Sequence, residues 1–453
     1  MSEYEKDLEI AQKIAQEVKS IGGRAFYVGG FVRDKLMGVS NKDIDIEVHG
    51  VYPEKLEEIL DRIGEKITVG ESFGVYGLKG HSIDIAMPRK EEMTGRGHRD
   101  FDVCVDPFLS TRKAAMRRDF TVNAMMQDVL TGEVVDEFDG KGDLEKRIIR
   151  HINDKTFVED PLRVLRGAQF ASRFEFKIAE ETIELCKTMD LSYLAKERVI
   201  AEVEKALLKA KKPSVFFEVL RKMNQLSVWF GELEALIGIQ QNPHFHLEGD
   251  VWVHTMMVLD EAVKYRDKVQ NPLGFMMSAI THDFGKAVCT EVINGVIHSY
   301  NHETKGLPLV ETFMKRITNE TKLIEYVLNL SEYHMKPNVL AFNKSSVKST
   351  NKLFDNAIEP EALIYLSAAD SSGKISSCNH VSNVDFLMER LEIFKEYMSR
   401  PYVMGRDLIN AGLKPGEKFA EYLEYAHKLS LAGVDKECAQ KQTLSFARKG
   451  EKK

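Results

Sequence analysis

The sequence is poor in the features that would place it outside a cell or in a membrane. Its five cysteines, Cys104, Cys186, Cys289, Cys378 and Cys438, are scattered, odd in number and without a CxxC pair. Neither a disulfide framework nor a thiolate zinc site is indicated, and buried, reduced thiols are expected. No apolar run is long enough to span a bilayer, and MSEYEKDLEIAQKIAQEVKS has neither an apolar core segment nor a small-residue cleavage site. We therefore expect a cytoplasmic protein with no membrane partner. Internal repeats and low-complexity stretches are also lacking; only a basic tail from Arg448 to Lys453 stands out, and it is expected to fray.

Net positive charge is lacking too. The formal charge of −7 argues against nucleic acid until the distribution is read. Residues 86–118 hold eight Lys or Arg against five acids, and residues 195–222 hold eight against four. Either stretch suits a phosphate backbone, and either suits a solvated helix face.

What is present is 453 residues with 43% hydrophobic and 29% charged content, enough for two to four globular units. Leu8, Ile10, Ile14 and Val18 sit at helical spacing, and Gly22 and Gly23 end that run before the β-prone AFYV. A short helical VRDKLMG, a period-two KDIDIEV and a second alternating piece, HSIDIA, follow. These make a small mixed α/β domain over 1–140. From Asp160 the pattern is helical to the end, apart from a hairpin signal at Ile293, Asn294, Gly295 and Val296. We expect further boundaries near 240 and 375, giving segments 141–240, 241–375 and 376–453.

In KDIDIEV, Asp43 and Asp45 share one strand face, roughly 6–7 Å apart, with Ile44 and Ile46 opposite. An amphipathic strand with a wet acidic face reads the same way. Two carboxylates kept ionised side by side call for a divalent cation, and phosphoryl transfer with two metal ions calls for a third oxygen donor, for which Asp84 in HSIDIA is the candidate. Ahead of the strand, Gly29 and Gly30 stand at a strand-to-helix turn where backbone N–H groups can approach a polyphosphate, and Arg33 lies in the first helical turn.

This arrangement resembles the class II tRNA nucleotidyltransferases and bacterial poly(A) polymerases, whose head is of the polymerase β type. The resemblance runs through GGFVRD, the Asp43 and Asp45 pair, RRDFTVNAM at 117–125, FDGKGDLEKRIIRH at 138–151, EDPLRVLR at 159–166 and ERVIAEVEKAL at 197–207. It implies a mixed-sheet head followed by all-α neck, further helical and tail domains. By it, Asp43 and Asp45 bind catalytic Mg²⁺, Gly30 and Arg33 touch the incoming nucleotide, and Arg118 contacts its phosphate and sugar. Without the other motifs, Arg117, Arg118 and Asp119 would read as a surface ion pair.

Asp160 and Arg163 are neighbours on one helix face. A carboxylate accepting from an exocyclic amine, beside a guanidinium donating to the adjacent ring nitrogen, matches the edges of cytosine and adenine but not of guanine or uracil. The resemblance implies this templating role, with Glu159 steadying Arg163 and Arg166 holding the nucleotide. Asp160 before Pro161 is also an ordinary helix start. In the family a mobile loop between the catalytic strands and RRDFTVNAM assists the switch to A. The interval is full length here and carries Gly95 and Gly97.

His254, His282, Asp283, His302, His334 and Asp370 follow in the order H, HD, H, H, D, with Gly285 and Lys286 after the HD pair. This order resembles the HD phosphohydrolase superfamily, which would make 241–375 an HD domain. By that likeness His254, His282, Asp283 and Asp370 form one metal site, and His302 and His334 add a second metal with Asp283 bridging. Imidazoles and carboxylates suit a transition metal such as Ni²⁺ or Mn²⁺. The leading expectation is addition of C, C and A to the tRNA 3′ end from CTP and ATP, with a possible HD phosphohydrolase activity on RNA ends. Poly(A) or A-only addition, an HD phosphohydrolase with a nucleotide-sensing head, and a non-catalytic RNA-binding protein are the alternatives.

Overall fold

The computed structural model describes residues 2–68, 75–93, 101–375, 383–399 and 401–451. They divide into two compact units, Met1–Ala206 with Val215–Val228, and Leu207–Ser214 with Trp229–Lys453.

The first unit opens with α1 (Glu3–Ser20), whose N-cap Ser2 forms a reciprocal capping box with Glu5. There follow β1 (Arg24–Val28), α2 (Gly30–Leu36), β2 (Ile44–His49), α3 (Pro53–Ile63), β3 (Lys66–Thr68), β4 (Val75–Leu78) and β5 (Ile83–Ala86). Next come the hairpin strands β6 (Arg89–Met93) and β7 (Phe101–Val105), then α4 (Thr111–Met116), β8 (Met126–Asp128) and β9 (Val134–Val135). Seven strands form one mixed sheet in the order β3, β4, β5, β2, β1, β8, β9, with β2 and β5 parallel. Strand alternation decides what each face does. Ile44, Ile46 and Val48 of β2 are buried in one core with Ile14 and Val18 of α1 and Leu56 and Leu60 of α3. The opposite face of β2 is therefore left to Asp45, Glu47 and His49. On that side Phe26 and Val28 of β1 pack with Ala114 and Ala115 of α4. Helices then take over: α5 (Gly140–Lys146), α6 (Asp154–Phe157), α7 (Leu162–Phe174) and the helix Lys196–Lys209.

In the second unit, helices Val251–Ala262, Pro272–Thr281, His302–Lys305, Thr321–Tyr333 and Pro360–Ser372 carry or end beside the histidines and aspartates singled out above. Asp250 caps the first of them by accepting from the Val253 N–H at 2.9 Å. No helix among the described residues is long and apolar enough to cross a membrane.

Several local expectations need correction. The helical region also contains a two-residue parallel pair, Ile148–Ile149 with Lys177–Ile178, too short to leave a periodic signal. Cys104 and Cys438 are exposed, so only Cys186 and Cys289 among the described cysteines are the buried thiols expected. Helix Lys436–Glu451 runs into the basic tail and buries Ala447 just ahead of it, and residues 452–453 lie outside the described residues. The hairpin forms as Glu291–Ile293 and Val296–His298, joined through Asn294 (φ 51°) and Gly295 (φ 79°), the left-handed pair that a two-residue turn requires. Gly95 and Gly97 lie outside the described residues.

Gly285 is a position where only hydrogen fits. A Cβ there would fall against the His302 carbonyl oxygen and 2.8 Å from the Gly306 nitrogen. Both tryptophans, Trp229 and Trp252, belong to this second unit, so their fluorescence reports its unfolding. Gly285→Ala should cost about 1–3 kcal/mol and lower the urea midpoint seen by tryptophan; an unchanged midpoint would contradict the packing.

Candidate functional site

The head cleft is assembled around β2 and the turn that follows β1. Gly29 holds φ at +65°, a left-handed value that favours glycine, and a Cβ on it would stand 3.4 Å from Arg118 Nη1 and 3.6 Å from Asp45 Oδ2. The turn is thus pressed directly against the acidic strand. Asp43 lies just ahead of β2 and Asp45 within it. Asp84 on β5 is the register partner of Asp45 across the parallel pair, which places a third carboxylate beside the first two. Burial, then the neighbouring Asp84, push the Asp45 carboxyl up to about 6 against the pull of Arg118. A divalent cation at this point would relieve that cost, so the donor set fits a hard metal ion.

Glu47 and His49, on the same strand face, were not anticipated. Burial would raise Glu47, but His49, Arg118 and Arg117 hold it down at about 2. His49 Nε2 lies 2.9 Å from Glu47 Oε1, and Arg118 Nη2 donates to Glu47 Oε2 at 3.1 Å. Glu47 therefore aims Arg118 toward the glycine turn. Its place two residues after Asp45 was the available signal.

A chain of hydrogen bonds runs outward from the acidic strand. The Asp43 N–H donates to Asn41 Oδ1 at 3.0 Å, and Asn41 Nδ2 to Asp34 Oδ2 at 2.9 Å. Arg33 gives Nε and Nη2 to Asp34 Oδ1 at 2.8 and 2.6 Å and Nη1 to Asn123 Oδ1 at 2.6 Å. Asn123 Nδ2 reaches Asp119 Oδ1 at 2.9 Å, and Arg166 Nε donates to Asp119 Oδ2 at 2.8 Å. Arg33 is 4% exposed and stacks 4.4 Å over Phe174. Three of its five N–H groups are engaged here, leaving one on each terminal nitrogen for a ligand. Arg33 is thus a brace of the head as well as a cleft residue. Burial would raise Asp119, but Arg166, with Asn123 donating, holds it below the usual carboxylate range.

Asp160 and Arg163 are both present in the cleft, each fixed by other groups. Asp160 Oδ1 accepts from the Leu162 N–H at 3.1 Å, the helix-start role, and Oδ2 accepts from Arg198 Nη2 at 2.9 Å. Arg163 donates to the carbonyls of Thr156 at 2.5 Å and Arg117 at 2.6 Å. Arg198 was missed, because its partner lies 38 residues away. Gly29, Gly30, Arg33, Asp43, Asp45 and Arg118 line one cleft of about 600 Å³, and Asp160, Arg163 and Arg166 line it as well. Asp84 is not among its lining residues.

The second unit holds a denser cluster. His254, His282 and Asp370 converge within metal-binding reach, as do Asp283, His302 and His334, and all six are buried. Asp283 lies between the sets: Oδ2 is 3.3 Å from His282 Nε2 and 3.5 Å from His254 Nε2, while Oδ1 is 3.2 Å from His302 Nε2. Three rings are oriented from behind by backbone carbonyls. His282 Nδ1 faces Ala279 O at 3.0 Å, His302 Nδ1 faces Ser299 O at 2.9 Å and His334 Nδ1 faces Ser331 O at 2.7 Å. Their Nε2 atoms are turned inward, and the buried Nε2 atoms of His282 and His254 have no hydrogen-bond partner. Orphaned imidazole nitrogens of this kind, beside carboxylate oxygens, fit a transition metal. Lys286 Nζ, 2.7 Å from Asp283 Oδ2, and Lys374 Nζ, 3.1 Å from Asp370 Oδ1, supply cations beside them.

The mixed sheet with its acidic strand and glycine turn defines a poly A polymerase head domain, whose family profile matches residues 25–150. The Multifunctional CCA protein of Actinobacillus pleuropneumoniae is 36% identical over 316 residues, covering 68% of this chain and 74% of that protein. That of Acinetobacter baylyi is 32% identical over 414 residues, covering 88% and 95%. The chain belongs to the family of the multifunctional CCA proteins. The fold is shared with a CCA-adding enzyme solved with CTP (TM-score 0.67, 20% identity, 98% of this chain and 95% of that one). It is shared also with the Thermotoga maritima CCA-adding enzyme complexed with tRNA (TM-score 0.62, 20% identity, 98% and 95%).

Asp119 gives this site a pH signature. Its folded carboxyl titrates below its unfolded value, so its contribution is present above that value and is lost as the pH falls further. Asp119→Asn should cost about 3–5 kcal/mol near neutral pH by stranding Arg166, with the deficit shrinking in acid below about pH 4. Hydrogen exchange across residues 117–125 measures it; a deficit independent of pH would contradict the assignment.

Proposed function

We propose that this chain adds C, C and A to the 3′ end of tRNA from CTP and ATP, releasing pyrophosphate. The observation that carries this reading is the meeting of Asp43 and Asp45, the glycine turn, and the Asp160 and Arg163 pair in one cleft. The names of the relatives and the nucleotide and tRNA complexes of structural neighbours support it. Asp43 and Asp45, with Asp84 beside them, would hold Mg²⁺, which when bound supplies positive charge to the reacting phosphate. The backbone N–H groups of Gly29 and Gly30, the remaining N–H groups of Arg33 and the guanidinium of Arg118 seat the triphosphate. Arg163, pinned by two carbonyls, and Asp160, pinned by Arg198, face the base with orientations fixed beforehand. Preorganisation of that kind selects C and A without a nucleic-acid template. RNA is met through its shape and backbone rather than through sequence.

The orphaned atoms of the second cluster favour a second activity, metal-dependent hydrolysis of phosphate esters at RNA ends in an HD domain. His254, His282, Asp283 and Asp370 would hold one ion such as Ni²⁺ or Mn²⁺, and His302 and His334 a second with Asp283 between them.

With Mg²⁺ and tRNA lacking its last three nucleotides, CTP alone should add two residues and CTP with ATP three. Asp45→Asn should reduce addition to background. Arg163→Ala should cut the preference for CTP over UTP by roughly 10- to 100-fold, from about 1–3 kcal/mol per bidentate match. A ladder of A from ATP alone would instead identify a poly(A) polymerase. Hydrolysis of a 2′,3′-cyclic phosphate end with Ni²⁺ or Mn²⁺ should vanish in His282→Ala; its survival would overturn the second ligand assignment.

A further inference from the structure

Three of the four inward-facing histidines are oriented by backbone carbonyls, and His254 is the exception. Its Nδ1 lies 3.1 Å from Oε1 of Glu248, a side chain with no exposure to solvent. The same Oε1 takes His246 Nδ1 at 2.7 Å, and Oε2 accepts from the Ile375 N–H at 2.9 Å. A buried carboxylate is costly unless its lone pairs are met; here the His246 imidazole and the Ile375 amide make hydrogen bonds to it, and the His254 ring stands beside it at ion-pair distance. On the far side of the ring, His254 Nε2 lies 3.1 Å from Asp370 Oδ1 and 3.5 Å from Asp283 Oδ2. An imidazole lone pair facing two carboxylate oxygens is repelled by them. A cation among the three turns the repulsion into coordination, and that requires the ring proton to reside on Nδ1, toward Glu248.

We infer that Glu248 is the positioning carboxylate of the His254, His282 and Asp370 site: it fixes the ring and tautomer of His254 and, being anionic, makes His254 a stronger metal ligand than a carbonyl-backed histidine. The inference rests on the reading of that cluster as a metal site. Glu248 does not belong to the helix that carries His254. It precedes that helix, and the Leu247 N–H donates to Ile375 O at 2.7 Å, so a two-way clasp between residues 247–248 and 375 holds the carboxylate in place. The strand of chain just beyond Asp370 thereby supports two ligands at once, Asp370 through its helix and His254 through Glu248. Carboxylates behind metal-bound histidines are worth 10- to 100-fold in metal affinity.

The test uses the full chain, stripped with a chelator and kept in excess Mg²⁺ so that the head carboxylates are occupied, and titrated with Co²⁺ alone. Binding is followed by calorimetry and by the visible absorption of the ion. Glu248→Gln, which keeps the size and removes the charge, should weaken Co²⁺ binding about 10- to 100-fold, with tryptophan fluorescence and melting unchanged. Glu248→Asp, which keeps the charge with a shorter reach, should lie between the two. Equal affinity in the parent and Glu248→Gln overturns the inference while leaving the metal site standing. A loss of affinity that comes only with loss of fold assigns Glu248 to stability and overturns it too. Failure of the parent chain to take up Co²⁺ removes the metal reading itself.

Discussion

A guanidinium taken out of water has to be given partners, and the way Arg33 is satisfied organises the head. Asp34 and Asn123 take its N–H groups and Phe174 takes its face. Each of those partners belongs to a different piece of the fold: the helix after the glycine turn, the RRDFTVNAM segment and α7. Through Asn41 the same chain of bonds reaches the backbone of Asp43, and through Asp119 it reaches Arg166. The acidic strand and α7 are therefore ends of one polar network, buried at Arg33, Asp34, Asn123 and Asp119 and reaching solvent at Asp43. Preorganisation of the cleft follows from that constraint.

The two centres differ in the chemistry of their donors. The head offers carboxylate oxygens at the mouth of a cleft, with Asp45 partly buried, which suits a hard ion that keeps some of its water. The second unit offers four imidazoles and two carboxylates, all buried, with three of the rings oriented from behind by carbonyls, which suits a transition metal. Lysines beside Asp283 and Asp370 add positive charge where a phosphate would approach.

Much of this was legible in the sequence where the signal was local. Period-two alternation around Asp43 and Asp45, two glycines at a turn, and the asparagine and glycine of the hairpin each reflect a backbone rule that acts within a few residues. The histidine and aspartate set was legible through order alone. What escaped was whatever depends on pairings that neither strand nor helix periodicity sets: Arg198 against Asp160, Glu248 behind His254 across a helix start, and the clamp of Glu47 on Arg117 and Arg118. Arg33 was readable as a residue near a phosphate site but not as a brace, since Asn123 is 90 residues away. Asp160 illustrates both cases, because its helix-start role could be read from Pro161 and its bond to Arg198 could not.

If one cleft seats the triphosphate and reads the base, a bound nucleotide must span it from the glycine turn to α7. A crystal structure of the chain with Mg²⁺ and a non-hydrolysable CTP analogue tests it directly. Phosphates should lie between Gly29, Gly30 and Arg118, with the cytosine edge against Asp160 and Arg163. A nucleotide bound elsewhere, or a base turned away from that pair, would contradict it.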